Sequence, residues 1–345
     1  MRNTELIRPL ALLTGVLALA FLGGCKGPTG DTGANGTDGT DGVDGNEVCL
    51  ECHNLTVKSD VTAQYMTSIH AAGDQVAYAG GRKGCAMCHS DQGFIETQYT
   101  GQDTTAYDIA LPQEVQCQTC HSFHQSLDFE NEGNAALRAY GPVDLLMYRA
   151  ADPMAPPVTI DLGGSGNLCA NCHQPRRLGP VMAAGVPVTD STYVSSSHYG
   201  PHHGPQTTSL AGLGASEIGT GYPAPGTGSV HATSTSCVTC HMHEGDHAFE
   251  PTLASCNTME CHNGALTTMS DNSRQNTFKT LMATLESKLM TAGLLDAAGH
   301  PVKGTYPSDQ VAALYNYEWM LDDRSNGVHN FPYLETLLTN SIAVF

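Results

Sequence analysis

Positive charge is scarce in this chain: 15 Lys and Arg stand against 34 Asp and Glu, a formal net charge of −19 at pH 7. That balance excludes nucleic acid and anionic lipid headgroups as partners and leaves cationic proteins, metal ions and mineral surfaces. Aromatic residues are also few, with 1 Trp and 8 Phe in 345 residues, whereas Gly and Pro number 37 and 18. Such a loop-rich composition gives modest means for a large protein core, so another material is expected to fill the interior. Long apolar runs are missing apart from Leu10–Leu22, which is too short to span a bilayer as an ordinary helix.

What is present begins at the N-terminus. Arg2 and Arg8 precede that apolar run, and the small residues of "GGC" follow it. This is the pattern of a secretory signal over residues 1–24. The ending "LGGC" resembles a bacterial lipobox, which implies cleavage before Cys25 and lipidation of Cys25; Lys26 after it points, by analogy, to the outer membrane. Glycine then falls at every third place from Gly27 to Gly45. A Gly-X-Y period first suggests collagen, but Pro28 is the sole proline at X or Y and four Asp repel one another. Residues 25–46 are read instead as a flexible acidic tether with roughly 25 Å of average reach.

Thirteen cysteines in an exported chain would by default mean disulfides. Their spacing says otherwise. "CLECH" (Cys49, Cys52, His53), "CAMCH" (Cys85, Cys88, His89), "CQTCH" (Cys117, Cys120, His121), "CANCH" (Cys169, Cys172, His173) and "CVTCH" (Cys237, Cys240, His241) repeat one pattern. At this Cys and His content about 0.02 copies are expected by chance. C-x-x-C-H is the attachment pattern of c-type haem: two thiols on one short loop add across the two vinyl groups, and the adjacent His reaches the iron from the proximal side. Zinc has no need of a His after every second Cys, and a redox C-x-x-C would be expected once. "CNTMECH" is irregular, with four residues between Cys256 and Cys261, but the Cys261–His262 adjacency is kept. A longer spacer can bulge and still deliver both sulfurs. Thirteen cysteines less Cys25 leave twelve, enough for six haems, so this is read as the sixth site.

Six proximal histidines leave ten of the sixteen. If every iron carries His on both faces, six of these are needed. Ser-x-His recurs at His70, His198 and His231; His124 lies three past a proximal His; His247 precedes the irregular loop; His203 follows His202 in "GPHHGPQ"; His329 sits in "GVHN". One or two of His198, His202 and His203 are expected to bind, while His243 and His300 are expected to stay free. Twelve Met could serve instead and would raise the potential, but abundant His favours low-potential bis-His sites.

The stretches "SSHYGPHHGPQ", "SVHATSTSCVTCHM", "GDHAF" and "ALYNYEWMLDDRSNGVHN" are similar to those of outer-membrane multihaem c-type cytochromes of metal-reducing bacteria, including hexahaem members that assemble into conductive filaments. The resemblance is spread over residues 47–340. It implies that His70, His124, His231, His247 and His329 are distal ligands. The lipobox and tether resemble those of larger decahaem surface cytochromes, whose extra β-barrel domains this chain lacks room for. The lipid anchor departs from the filament-forming members.

The expected fold is mostly coil with α-helices: one cytochrome c domain, residues 47–345, wrapped round a chain of six c-type haems with a helical C-terminal part. Gly- and Pro-rich stretches such as "DPMAPPV" and "YPAPGTGS" keep regular structure short between the loops. The C-terminal helices are expected within 273–343. Phe278, Leu281, Met282, Leu285 and Leu289 recur at helical spacing after candidate caps at 271–273, and further helices are expected over 308–323 and 332–343, packing over haem faces. One haem per about 54 residues makes close approach unavoidable. The function expected is electron transfer at the cell surface. The partners are other multihaem cytochromes or a second copy of this chain in a filament, with metal oxides or metal ions as acceptors and the outer membrane held through the lipid. A multihaem reductase is the rival class; it needs an open iron position, and the C-x-x-C-K site of ammonia-forming nitrite reductases is absent.

Overall fold

The computed structural model of the chain describes residues 53–122, 137–182, 190–270 and 272–345. Cys25, Cys49, Cys52 and His124, together with the signal and tether, lie outside the described residues. His53–Phe345 forms a single unit. Among the described residues no helix is long and apolar enough to cross a membrane.

Up to residue 270 the helices are short, as the glycine and proline content requires. Leu55–Tyr65 starts where the Asn54 side chain accepts the Val57 N–H (2.8 Å), and Ile69–Ala72 is one turn between a Ser68 cap and Gly73 at φ +61°. Asp91–Thr100 follows the second attachment loop directly: the Ser90 hydroxyl accepts the Gly93 N–H and Gly101 ends the helix in the left-handed region. Gly93 is required there, because a Cβ would collide with the Ala86 backbone. The longest of these elements has 11 residues, and those that carry the cysteines of the attachment loops have four to six.

Two small antiparallel ribbons stitch distant segments together, and the hydrophobic pattern did not announce either. β1 (Val143–Asp144) pairs with β2 (Thr159–Ile160), Val143 opposite Ile160. β3 (Ser191–Val194) pairs with β4 (Gly304–Pro307), Val194 opposite Gly304, which ties the middle of the chain to its C-terminal part. Strands of two to four residues leave too little alternation to be read locally.

The C-terminal part is built differently. Helix Ser273–Thr291 is capped by Asn272, whose side chain accepts the Gln275 N–H at 3.0 Å, and Phe278, Leu285 and Leu289 are buried along it. Helix Ser308–Asp323 enters at Pro307 and stops at Arg324, in the left-handed region at φ +58°; helix Phe331–Ile342 carries Pro332 in its first turn. The three pack on one another. Trp319, Tyr315, Tyr333, Leu334, Leu337 and Leu338 are fully buried between them and segment 205–222. Asn316 fixes that segment, accepting the Ser216 N–H (2.9 Å) and donating to the Ser216 carbonyl (2.8 Å) and the Ser341 hydroxyl (3.0 Å). Trp319 donates to Ser209 Oγ (2.8 Å), and Tyr315 comes so close to Gly179 that any Cβ there would strike its ring.

One expectation changes here. The interior was expected to need a non-protein filler throughout, with the C-terminal helices laid over it. Around the C-terminal helices the protein supplies its own core, because most of the large fully buried apolar side chains lie on them, joined by Leu145 and Met147 from earlier in the chain.

Candidate metal centres

The third and fourth attachment loops are closed by the same backbone bond. The His121 N–H donates to the Cys117 carbonyl (2.9 Å) and the His173 N–H to the Cys169 carbonyl (3.0 Å), so one helical turn holds both thiols and the His. In "CQTCH" and "CVTCH" the Thr hydroxyl reaches back to the N–H before the first Cys: Gln116 N to Thr119 Oγ1 is 2.8 Å and Ser236 N to Thr239 Oγ1 is 3.1 Å. Buried Asp91 braces the third loop further, accepting from Thr119 Oγ1 (2.6 Å) and Gln118 Nε2 (2.7 Å). All ten described cysteines are free thiols.

The irregular loop closes in the same way. The His262 N–H donates to the Cys256 carbonyl at 3.2 Å, first Cys to His as in the third and fourth loops. The two extra residues are taken up by a turn in which the Cys261 and Asn263 N–H groups both bond the Thr258 carbonyl (3.1 and 2.9 Å). Asn257 clamps the bulge through paired bonds with the backbone of Leu266 (2.7 and 3.0 Å).

The histidines come together in facing pairs. Ring centroids are 6.0 Å apart for His70 and His173, 6.3 Å for His121 and His247, and 6.2 Å for His231 and His262. An imidazole nitrogen sits about 2 Å from a bound metal and about 1.2 Å from its own ring centre, so two rings on opposite faces of one ion have centroids about 6.3 Å apart. The spacing fits an iron between each pair. Each pair joins a proximal His to one of the distal candidates.

The second ring nitrogen is engaged in the way that orients a ligand. Nδ1 faces a backbone carbonyl in His231 (Val328, 2.6 Å), His241 (Phe249, 2.9 Å) and His247 (Gly245, 2.8 Å). It faces a carboxylate in His203 (Asp322, 3.0 Å) and His329 (Asp323, 2.7 Å), and Gln206 lies at 3.4 Å from that of His173. A carbonyl only accepts, so Nδ1 carries the proton and Nε2 keeps its lone pair for a metal. Burial, aided by His173, holds His70 down to about 4, and burial also lowers His173. Burial against His329 is overcome by the Asp323 carboxylate, which raises it. The neutral rings are the form a metal binds.

The remaining positions are less closely paired. His89 lies within electrostatic reach of both His202 and His203, and burial lowers His89 and takes His202 down to about 4. His202 and His203 both adopt positive φ (70° and 46°), uncommon outside glycine and found where a site constrains the backbone. His198 is exposed, its N–H held by Ser196 Oγ at 3.1 Å. His300, expected to be free, lies 3.7 Å from Asp296 in the C-terminal part; His243 sits in a short turn. His53 opens the described chain.

The loops also meet one another. Cys88 Sγ contacts the Asn171 carbonyl (3.9 Å) while Cys172 Sγ contacts the Met87 carbonyl (3.7 Å), a reciprocal contact between the second and fourth loops. Cys237 Sγ reaches the Gly166 carbonyl at 3.8 Å, bringing the fifth loop against the fourth. Sequence reasoning did not single out the orienting partners Asp322, Asp323, Gln206 and Phe249. The pair "DD" just before "RSNGVHN" was the available signal for two of them.

No protein-family model matches the chain, and no curated protein matches it. Among solved structures, the chain is similar to two cytochromes. One is the outer cell wall cytochrome OcwA, at 22% identity and a TM-score of 0.48, covering 81% of this chain and 48% of that one. Another is the undecahaem cytochrome from the S-layer of Carboxydothermus ferrireducens, at 19% identity and a TM-score of 0.49, covering 79% and 39%. The chain thus spans less than half the length of either.

Proposed function

We propose that this protein is an electron carrier holding six covalent c-type haems and working at the outer surface of the cell. The observation that carries the reading is the set of three facing histidine pairs, each joining an attachment-loop His to a distant one at the spacing of two ligands on one ion. When bound, the haem irons supply reversible one-electron chemistry. The chain's own work is attachment, ligation and spacing. The paired cysteines would hold each group in register, and the carbonyls and carboxylates at Nδ1 aim the rings of His203, His231, His241, His247 and His329. The contacts of the fourth loop with the second and fifth keep neighbouring sites close. No side chain is required to make or break a bond in a substrate.

The sixth site rests on the Cys256–His262 closure and on His231 facing His262. A lipid on Cys25 and the acidic tether would hold the domain off the outer membrane. The partners proposed are other multihaem cytochromes or a second copy of the chain stacked head to tail, with metal oxides or metal ions as terminal acceptors; the charge of −19 suits cationic partners and metals.

The test is the mass and spectrum of the purified holoprotein. Six haem increments, entirely low-spin ferric electron paramagnetic resonance (EPR) signals and no carbon monoxide uptake after reduction are expected. Five increments would remove the sixth site. A high-spin signal with carbon monoxide uptake at one haem would favour a reductase with an open iron. Dispersed monomers alone in the secreted fraction would end the filament proposal.

A further inference from the structure

Phe249 is an aromatic residue held at φ +59°, a conformation that a bulky side chain adopts only when its surroundings impose it. What imposes it is legible in the turn around it. Gly245, at φ +79°, turns the chain; the Ala248 N–H donates to Asp246 Oδ1 (2.9 Å); the His247 N–H donates to Gln64 Oε1 (3.1 Å). In that setting Phe249 touches three histidines that belong to three different candidate centres. Its carbonyl accepts from His241 Nδ1 at 2.9 Å. Its ring stands edge-on to His70, centroids 5.0 Å apart at 83°, and meets His247 at 5.8 Å and 65°. His70 faces His173 and His247 faces His121, while His241 is the His of the fifth loop.

We infer that Phe249 is a positioning residue shared by the third, fourth and fifth centres. Its carbonyl holds the Nδ1 proton of His241 and so orients that ring, and its ring blocks rotation of His70 and His247 about their metal-facing axes. The inference rests on the haem reading above. The two halves of the residue act on different centres, and this makes them separable. Hydrogen bonding to Nδ1–H makes the imidazole a stronger donor and lowers the potential of the iron it binds. An edge-on ring does not change basicity but fixes the angle of the imidazole plane, which the EPR g-values of a low-spin iron report. The left-handed turn is needed to point the carbonyl and the ring in these two directions at once.

The experiment compares Phe249→Gly, Phe249→Tyr and Phe249→Val in the full holoprotein by EPR-monitored potentiometric titration, with haem number checked by mass. Glycine keeps the turn and the carbonyl but removes the ring. Two of the six low-spin signals are expected to shift in g-value, with potentials otherwise kept. Tyrosine retains ring and turn, and is expected to reproduce the native spectrum. Valine disfavours the left-handed turn, so a third signal is expected to move, with its potential shifted upward. Native g-values in the glycine variant, or a shift of all six signals alike, would overturn the inference, as would a valine variant indistinguishable from glycine. Should the glycine variant fail to mature, Phe249→Leu removes the aromatic edge while keeping bulk, and the same two-signal shift decides. Wild-type protein without six low-spin haems defeats the underlying haem reading; native haems with unresponsive variants defeat the positioning role alone.

Discussion

The attachment-loop region, residues 53–270, and the helical region, 272–345, solve the problem of an interior in opposite ways. Among the described residues, the largest fully buried side chains include Trp319, Tyr315, Tyr333, Leu285, Leu289, Leu294, Leu314, Leu334, Leu337 and Leu338, all in the second region. The first contributes Leu145 and Met147 to that set. In place of buried leucines the loop region has histidine rings facing each other across gaps of 6.0 to 6.3 Å, and thiols set against backbone carbonyls. The helical region is filled mostly by its own side chains, whereas the loop region carries the cysteines and histidines of the candidate centres. The two are joined by a shared apolar cluster, in which Leu145, Met147 and Val194 pack with the C-terminal helices, and by Asp322, at the end of the helix Ser308–Asp323, which holds the ring of His203.

The sharpest way to break this contrast is to withhold haem. In chain made without haem attachment, amide hydrogen exchange is expected to show protection lost at the attachment loops but retained over Ser273–Thr291, Ser308–Asp323, Phe331–Ile342 and the segment 205–222 packed on them. Helices that exchange as fast as the loops would mean that the second region has no core of its own. The next largest effect comes from the core itself. Leu334→Ala should cost about 2–5 kcal/mol in denaturant unfolding followed by far-UV circular dichroism, because the site is fully buried among its neighbours. The haem count and low-spin spectrum should stay native; loss of haem in this variant would show that the regions are one cooperative system.

A smaller effect belongs to the cap of the first C-terminal helix. Asn272→Ala leaves the Gln275 N–H without its acceptor and should lower stability by about 1 kcal/mol, read as a lower melting temperature. The smallest is electrostatic. Burial, opposed by the Tyr333 hydroxyl, raises the Glu217 carboxyl above its ordinary 4.5. A carboxyl raised in the folded state keeps its proton longer than in the unfolded chain, so stability is greatest below the ordinary carboxylate range and falls as pH rises through the raised value. Glu217→Gln should flatten that fall, and an unchanged pH profile would assign it to another group.

Much of this was readable one segment at a time. The helix expected over 308–323 is Ser308–Asp323, the one expected over 332–343 is Phe331–Ile342, and the apolar series from Phe278 to Leu289 lies on Ser273–Thr291. Periodicity and capping act within a few residues, so they survive without knowledge of the rest. In the widened loop the feature that attachment would need, Cys261 beside His262, is a covalent neighbourhood and so stands in the sequence whatever the fold. The β3–β4 ribbon and the core packed on segment 205–222 were not, since each joins segments far apart in the chain.

The same boundary runs through the candidate centres. The sequence by itself determined which residues can hold haem: cysteine pairs at a spacing that fits two vinyl groups, a His locked next to the second thiol, and a surplus of further His. It also determined, to within a residue or two, where the three C-terminal helices lie. Only the tertiary structure decided that His70 faces His173, that His247 faces His121 and that His231 faces His262. It alone placed Phe249 among three of these rings. The reason is physical: attachment needs atoms within one turn of backbone, whereas facing two rings across an ion needs the closure of long loops, and that closure is set by packing elsewhere in the chain.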